Sequence, residues 1–284
     1  MKQGRITPYF GPGGNSDSFR LAKQATVNAP HWLAEKGLDA YEYEAGRGVS
    51  ASDDILRLLG ENAREKGIYT SVHAPYFISL SGVVPETRLK SVDYISESLH
   101  AAALLGADTI VVHTGSAAKI TREEALRLAA DTLYVTLEAL DPKETYIGLE
   151  TMGKINQLGT LEEVIALCKM DKRLHPVVDF GHMNARECGG FFKTEDDYLR
   201  VFDTIANALG DDVARNLHCH FSRIEWTAAG EKRHLTFEDT AYGPDYMPLM
   251  RVLKKEGLTP TIICESAGTQ AEDALAMKRY YLSL

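Results

Sequence analysis

Six histidine and carboxylate side chains stand at the ends of short, apolar, β-prone segments. In chain order they are His73, His113, Glu150, Asp179, His218 and Glu265. Imidazole and carboxylate together are typical ligands of zinc, manganese and iron, whereas calcium and magnesium prefer oxygen ligands alone. Each residue taken singly could be a capped or ion-paired group at the edge of a sheet. Their repetition at equivalent positions predicts a metal centre assembled from several strand ends.

Three further histidines lie close to these strand ends. His182 follows Asp179 by three residues, so a turn can bring its ring back toward the same edge, and His234 lies in a long segment after the seventh strand. Each alone is more often a surface or hydrogen-bonded residue. His218 and His220 alternate on one strand and therefore share a face. We expect His218 to hold the ligand position and His220 to support it or to contact substrate.

The positions of these residues depend on an alternation that runs from one end of the chain to the other. Short β-prone runs alternate with amphipathic stretches, which is typical of parallel strands joined by helices. About eight strands are predicted, the number that closes a (β/α)8 TIM barrel of the α/β class. They span residues 4–7, 40–43, 69–73, 109–113, 146–150, 177–179, 217–221 and 261–265. One domain over residues 1–284 is expected, with the metal site at the C-terminal rim of the barrel.

Several connecting segments carry recognisable signals. Thr121 and Thr160 are each followed three residues later by a glutamate, which predicts helix starts with capping boxes. The glycine-rich segment 11–14 lacks the spacing of a nucleotide-binding loop and is interpreted as a tight turn. Residues 222–242 show no clear periodicity, and a loop of that length in a compact domain is usually functional.

Composition narrows the function classes. Hydrophobic residues make up 44% of the chain and charged residues 25%, as in soluble globular proteins. No apolar run approaches the roughly 20 residues of a membrane span, and residues 1–10 lack the core of a signal peptide, so a cytoplasmic location without membrane contact is expected.

The four cysteines include no Cys-x-x-Cys pair, which argues against a thiolate zinc cluster or a disulfide framework. A net charge of −9 argues against general attraction to nucleic acid, although bound divalent metals would supply local positive charge.

Seven short motifs occur in order over essentially the whole chain. They are His-Ala-Pro-Tyr at 73–76, His-Thr-Gly at 113–115, Glu-Thr-Met-Gly at 150–153, Asp-Phe-Gly-His at 179–182, His-Cys-His-Phe-Ser at 218–222, Lys-Arg-His at 232–234 and Cys-Glu-Ser at 264–266. Taken together, this series resembles the endonuclease IV family of apurinic/apyrimidinic endonucleases, within the broader group of xylose isomerase-like barrels.

The resemblance implies a centre of two or three metals, usually zinc, with manganese or iron as alternatives. Its implied activity is hydrolysis of DNA on the 5′ side of an abasic site by a metal-bound hydroxide, with Glu150 and Glu265 as catalytic residues. One metal would be held by His73, His113 and Glu150. Glu150 would bridge to a second metal, completed by Asp179, His218 and Glu265, and the third would be held by His182 and His234.

The chain departs from the family pattern at one ligand position. The family motif is Asp-Arg-His, whereas this chain has Lys232 where the aspartate is expected. The adjacent Glu231 could take its place if the loop shifts by one residue. The resemblance also implies that Arg47 and Tyr76 contact the substrate, although the loop that carries Arg47 is short. His220 is a further candidate for substrate contact.

A sugar isomerase or epimerase on the same barrel is the alternative, with a small sugar or phosphate ester as substrate. Such relatives use one metal, and the set Glu150, Asp179, His218 and Glu265 matches their ligands. Glu150 and Glu265 would then move a proton beside a carbonyl group. Four histidines, His73, His113, His182 and His234, have no role as ligands in such an enzyme, so they favour the hydrolase. A third alternative is a metal-binding barrel without catalytic activity.

Overall fold

Eight parallel strands form the centre of the molecule in the computed structural model, which describes residues 5–142 and 144–284. They are β1 (Tyr9–Pro12), β2 (Ala40–Glu44), β3 (Tyr69–His73), β4 (Thr109–His113), β5 (Tyr146–Glu150), β6 (Leu174–Asp179), β7 (His218–Phe221) and β10 (Thr261–Cys264). Neighbours pair in the order β1, β10, β7, β6, β5, β4, β3, β2. Hydrogen bonds from Asp39 N to Phe10 O and from Gly14 N to Glu42 O, both 2.9 Å, join β1 to β2. The predicted (β/α)8 TIM barrel is therefore confirmed.

Helices connect successive strands around this barrel. They are α1 (Asp17–Leu21), α2 (Ala29–Lys36), α3 (Asp53–Lys66), α4 (Pro85–Leu105), α5 (Arg122–Ala139), α6 (Leu161–Cys168), α7 (Phe180–Arg186), α8 (Glu195–Leu209), α9 (Asp211–Arg215), α10 (Tyr246–Glu256) and α11 (Gln270–Ser283). The Thr160 hydroxyl caps α6 and Glu163 completes the predicted capping box, while Thr121 accepts a hydrogen bond from the Glu124 amide at the start of α5. Within the described ranges, no helix has both the length and the apolar character needed to cross a membrane.

The first strand lies later in the chain than the sequence predicts. Gly4 is outside the described residues, and residues 5–7 do not form a strand; the Ile6 side chain is exposed. The strand instead includes Gly11, where an added Cβ would lie 1.8 Å from Ala40 O. Glycine permits this close approach of β1 to β2. The interpretation of segment 11–14 as a simple turn is therefore wrong, because its first two residues belong to β1.

The long segment after β7 also differs from its prediction as an irregular loop. It contains an antiparallel hairpin of β8 (Ile224–Thr227) and β9 (Gly230–His234), separate from the barrel sheet. Pairing of Lys154 with Gly230 attaches this hairpin to the loop after β5. The hairpin therefore lies at the C-terminal rim of the barrel.

Candidate metal centre

All of the predicted strand-end residues except His218 meet around Glu150, the last residue of β5. His113 lies opposite Glu150 in the register of β4 and β5, and Asp179 lies opposite His220 in that of β6 and β7. Because parallel strands present their last inward side chains at the same rim, residues far apart in sequence come together here. Glu150, Asp179 and His220 are completely buried. The opening of the site is formed by the less buried residues above them.

One group of candidate ligands consists of His73, His113 and Glu150, the set that the family resemblance implies. Glu150 Oε2 lies 3.2 Å from His113 Nε2 and 3.6 Å from His73 Nε2. One ligand atom from each of the three residues can be chosen so that all lie within 4.8 Å of one another. That separation is compatible with a common metal ion, since zinc lies about 2.0–2.2 Å from nitrogen and oxygen ligands.

The second group of candidate ligands contains His220 instead of the expected His218. His220 Nδ1 lies 3.0 Å from Glu150 Oε1 and 3.3 Å from Glu265 Oε1, and Asp179 completes this set of four. His218 instead lies 2.9 Å from Glu42 through its Nε2 atom. The two histidines share an inward face as expected, but His220 lies two residues nearer the C-terminal end of β7 and hence nearer the rim. The assignment of the ligand position to His218 therefore differs from the geometry.

Backbone carbonyl groups hold three of the histidine rings in place. His73 Nδ1 donates to Ala74 O at 2.8 Å, and His182 Nδ1 donates to Thr151 O at 3.0 Å. His234 Nδ1 donates to Glu265 O at 3.1 Å. Because a carbonyl oxygen only accepts, the neutral form of each ring carries its proton on Nδ1, which leaves its Nε2 atom for a ligand. Metal-binding histidines are typically oriented in this way.

Asp179 has a structural role as well as a place in the second group. It is the N-cap of α7, and its Oδ1 atom accepts a hydrogen bond of 2.7 Å from the His182 amide. Residues with a short acidic side chain are favoured at this position because they satisfy an otherwise free backbone amide. The cap turns α7 back over the rim, which brings His182 to the site from outside the strands, as predicted.

The third group contains Glu231 in addition to His182 and His234. Glu231 Oε2 lies 3.5 Å from His182 Nε2, and its Oε1 atom lies 3.8 Å from His234 Nε2. Lys232 points elsewhere, half exposed and paired with Glu225 at 2.5 Å. Glu231, and not Lys232, thus faces the two histidines.

A register shift in the hairpin explains how Glu231 reaches this place. Arg233 pairs with Glu225, whereas the next residue of β8, Trp226, pairs with Glu231, so Lys232 is the extra residue of a β-bulge. Alternate residues of a regular strand share a face, and one extra residue changes the interval from two to three. Glu231 and His234 therefore face the same side although they are three residues apart.

Close backbone contact between the hairpin and the loop after β5 fixes the position of Glu231. The Glu231 amide donates to Gly153 O at 3.0 Å. A Cβ at Gly230 would lie 2.2 Å from Gly153 O, and Gly230 has a φ of 88°. A Cβ at Gly153 would lie 2.7 Å from the Glu231 side chain. Both glycines are needed for the hairpin to approach the rim so closely.

Burial and neighbouring charges shift the pKa values of the residues around Glu150. Burial alone would raise the pKa of Glu150, but His220, His113 and His182 hold it well below its ordinary value. Burial raises the pKa of Glu265 to about 8, with Glu150 adding to the effect and His220 opposing it. Burial would lower the pKa of His73, yet Glu44 and Glu150 raise it to about 10. Glu265 and His73 thus hold protons that a bound metal would displace, whereas Glu150 is ionised.

A cavity of about 1070 Å³ opens above the site. Tyr76 lines it beside His73, with a ring-centroid separation of 5.1 Å, and donates a hydrogen bond of 3.1 Å to Glu44. Arg47 also lines the cavity, on an exposed loop. That loop packs on Tyr76, because a Cβ at Gly46 would lie 2.2 Å from the Tyr76 ring. The two predicted substrate contacts therefore lie at the same side of the opening, whereas His220 lies below it.

The donor atoms of the site fit divalent transition metals. Glu150 Oε2 and Asp179 Oδ2 are buried and accept no hydrogen bond within the described part of the chain. Buried acceptors of this kind usually have a partner. Imidazole nitrogen and carboxylate oxygen together suit zinc, manganese or iron. The structure thus contains groups able to hold metal ions, and three of these groups adjoin one another.

Comparison with known proteins identifies a family model, relatives and solved structures that this chain resembles. The family model of xylose isomerase-like TIM barrels matches residues 30–280. An uncharacterized protein of Methanocaldococcus jannaschii is 28% identical over 87% of this chain and 89% of its own length. A probable endonuclease 4 of Acholeplasma laidlawii is 30% identical over 68% of this chain and 66% of its own. The crystal structure of a D-tagatose 3-epimerase-like protein has a TM-score of 0.72 at 21% identity and covers 97% of both chains.

Proposed function

The chain belongs to the family of xylose isomerase-like TIM barrels, and we propose that it is a metal-dependent phosphodiester hydrolase. Its proposed substrate is DNA with an abasic site, cleaved on the 5′ side of that site. One observation carries this proposal: Glu231 joins His182 and His234 to form a third ligand group beside the two around Glu150. A single-metal isomerase has no need of that group.

Two or three zinc ions per chain are proposed, with manganese or iron as alternatives. Their ligands would be His73, His113 and Glu150 at one position; Glu150, Asp179, His220 and Glu265 at the next; and His182, His234 and Glu231 at the third. Bound divalent ions would lower the pKa of a water molecule and neutralise charge on the phosphate. The residues themselves need supply no nucleophile.

The chain's own residues would orient the reactants. The two oxygens of Glu150 face different ligand groups, so this residue lies where an attacking water would be held and oriented. Water oxygen adds to phosphorus, the bond to the 3′ oxygen breaks, and the departing oxygen takes a proton. We assign the departing oxygen to the side of His182 and His234, in line with the endonuclease IV resemblance. Tyr76 and Arg47 would bind the nucleic acid at the opening.

A cleavage assay tests this proposal. The zinc-loaded protein should cut a duplex oligonucleotide at a synthetic abasic site and leave a 3′-hydroxyl end, while an undamaged duplex stays intact. Glu150→Gln is expected to abolish cutting because Glu150 belongs to two ligand groups. Arg200→Gln is a matched control, since Arg200 is exposed on α8 and pairs with Asp197 away from the site. Zinc-loaded protein that binds its metals normally and leaves the abasic duplex uncut would refute the proposal.

A sugar epimerase or isomerase is the second candidate, and one observation favours it. Glu150, Asp179, His220 and Glu265 by themselves form a group that could hold one metal, and Glu150 and Glu265 are the carboxylates that would move the proton. The similarity to an epimerase-like structure concerns the fold alone at 21% identity. Conversion of a ketohexose by protein containing one metal per chain, without cutting of abasic DNA, would establish this candidate instead.

A further inference from the structure

Arg186 is the last residue of α7 and lies one helical turn after the candidate ligand His182. Residues four apart on a helix share a face, and both of these side chains contact the loop after β5. His182 Nδ1 donates to Thr151 O at 3.0 Å. Arg186 Nη1 donates to Met152 O at 3.2 Å and to Lys154 O at 2.7 Å. One face of α7 therefore holds both a candidate metal ligand and the loop beside it.

The guanidinium group of Arg186 also contacts the far end of this loop. Its Nη2 atom donates to Ile155 O at 3.0 Å, and its Nη1 atom lies 3.3 Å from Gln157 O. A guanidinium carries five N–H donors in a planar fork and no acceptor, so it can bind several carbonyl oxygens at once. Arg186 thereby gathers four carbonyl groups of the loop around one positive charge.

Two other carbonyl groups of the same loop support the third group of candidate ligands. Thr151 O orients the His182 ring, and Gly153 O accepts the hydrogen bond of 3.0 Å from the Glu231 amide. The carbonyl group that follows each of them along the chain is bound by Arg186. A shift of this stretch of backbone would therefore move His182 and Glu231 relative to each other.

We propose that Arg186 is a positioning residue of the third group: it holds the loop after β5 against α7 and so sets the separation between His182 and Glu231. His182 Nε2 and Glu231 Oε2 lie 3.5 Å apart. Zinc lies about 2.0–2.2 Å from such ligand atoms, so a small change in their separation decides whether one ion can contact both. Arg186 is not itself a ligand, because a guanidinium has no acceptor. This inference relies on the metal centre of the proposed function but is independent of the substrate.

Arg186→Met tests this role, since methionine fills part of the same space without hydrogen-bond donors. Loss of a group that supports a metal ligand typically weakens metal binding roughly 10–100-fold. Because Arg186 acts through the backbone, we expect a loss at the lower end of this range, about 10-fold, for one zinc ion per chain. The affinity for the other ions should not change. Competition with a chromophoric chelator measures these affinities without nucleic acid, and parental affinities in Arg186→Met would overturn the proposal.

Arg122→Met is the matched control on the same loop. Arg122, on α5, donates to Ile155 O at 3.0 Å and to Gln157 O at 3.1 Å, and it pairs with Glu163. These contacts lie at the far end of the loop, beyond the carbonyl groups that support His182 and Glu231. The zinc affinities of Arg122→Met should therefore equal those of the parent. Equal weakening in both variants would show that zinc binding requires only an intact loop, and it would overturn the assignment to Arg186.

A double variant separates positioning of the third group from a general effect on the protein. In a Glu231→Ala protein the third ion is already weakened or lost, so adding Arg186→Met should leave the affinity for the remaining ions unchanged. Effects on independent sites do not influence one another in this way unless a common structure is disturbed. Weaker binding of the remaining ions would indicate a structural role for the whole centre and refute the proposal.

Arg186→Lys keeps the proposal testable if Arg186→Met does not fold. A lysine ammonium group is a compact charge that cannot span the four carbonyl groups as a planar fork does. The affinity of Arg186→Lys for the third zinc ion should therefore lie below that of the parent, and a parental value would contradict the proposal. None of these measurements involves DNA, so a protein that shows these zinc affinities yet does not cut abasic sites would contradict the proposed function alone.

Discussion

Replacement of Glu231 by alanine should remove one zinc ion from the centre, whereas replacement of its neighbour Lys232 should not. Glu231 approaches the Nε2 atoms of His182 and His234 to 3.5 and 3.8 Å, and Lys232 pairs with Glu225 outside the site. The motif alone would assign the ligand position to residue 232. The two variants therefore test whether the ligand of the third group is residue 232, as the motif implies, or Glu231, as the β-bulge implies.

The size of the effect follows from the number of ligands. Glu231→Ala removes one carboxylate from beside the two imidazoles of the third group, and Glu265 remains within 4.8 Å of them. Loss of a residue that only supports a ligand lowers metal affinity roughly 10–100-fold. Loss of the carboxylate itself should therefore lower the affinity for the zinc ion at the third group by at least ~100-fold, or about 2.8 kcal/mol of binding free energy. Lys232→Ala removes a half-exposed ion pair, whose contribution to stability is about 0–1 kcal/mol, and leaves the ligands in place.

Equilibrium dialysis against buffered zinc, followed by elemental analysis, measures both variants. The parent and Lys232→Ala should reach the same zinc content, and Glu231→Ala should contain one ion fewer. Lys232→Asp, which restores the residue of the family motif, should not rescue a Glu231→Ala protein, because position 232 faces away from the site. A zinc content that depends on residue 232 and not on Glu231 would refute this account of the hairpin.

Three further predictions concern the supports of the site and the fold. Gly230→Ala should lower zinc occupancy of the third group and destabilise the protein by roughly 1–3 kcal/mol, because a Cβ would lie 2.2 Å from Gly153 O and the φ angle of Gly230 is 88°. Chelator competition measures the zinc occupancy, and urea unfolding measures the stability. Values equal to those of the parent would contradict the close contact between Gly230 and Gly153. The amides of Lys193 and Thr194 hold the pKa of Asp197 at about 2 despite partial burial. A lowered pKa stabilises the folded state above the unfolded value of about 3.9, and this contribution is lost as the pH falls toward 2. The stability difference between the parent and Asp197→Asn should therefore shrink from pH 5 to pH 2, and a constant difference would argue against it. If residues 1–284 form one domain, the metal-free chain should unfold in one transition that fluorescence and circular dichroism report at the same urea concentration, whereas separate transitions would indicate two units.

The barrel and most of the strand ends could be predicted from the sequence because their signals are local. The strands 69–73, 109–113 and 146–150 match the observed β3, β4 and β5 at both ends. Each ends in a ligand-type side chain after an apolar run, so pattern and position agree. The first strand could not be placed in this way. Gly11 is needed in β1 because it approaches the carbonyl oxygen of Ala40, a residue 29 positions later in the chain.

The differences between the expected and the observed arrangement of the site have the same origin. His218 and His220 lie on the same face of β7, so alternation does not distinguish them. Only their distances from the rim decide that His220 is the one near Glu150. No sequence motif indicated that Glu42 lies near the site. Its spacing of two residues from Glu44 on one strand nevertheless places both side chains on the inward face. Glu231 was one of two alternatives in the sequence. The β-bulge that selects it depends on pairing with β8 and on contact with the Gly153 loop, neither of which is a local property.

A crystal structure of the zinc-loaded protein, with anomalous scattering recorded at the zinc edge, tests the central claim most directly. The account predicts two or three anomalous peaks around Glu150, with His220 Nδ1 as a ligand of one and Glu231 beside the peak at His182 and His234. A single peak, held by Glu150, Asp179, His220 and Glu265 alone, would contradict the multinuclear centre and with it the proposed hydrolase.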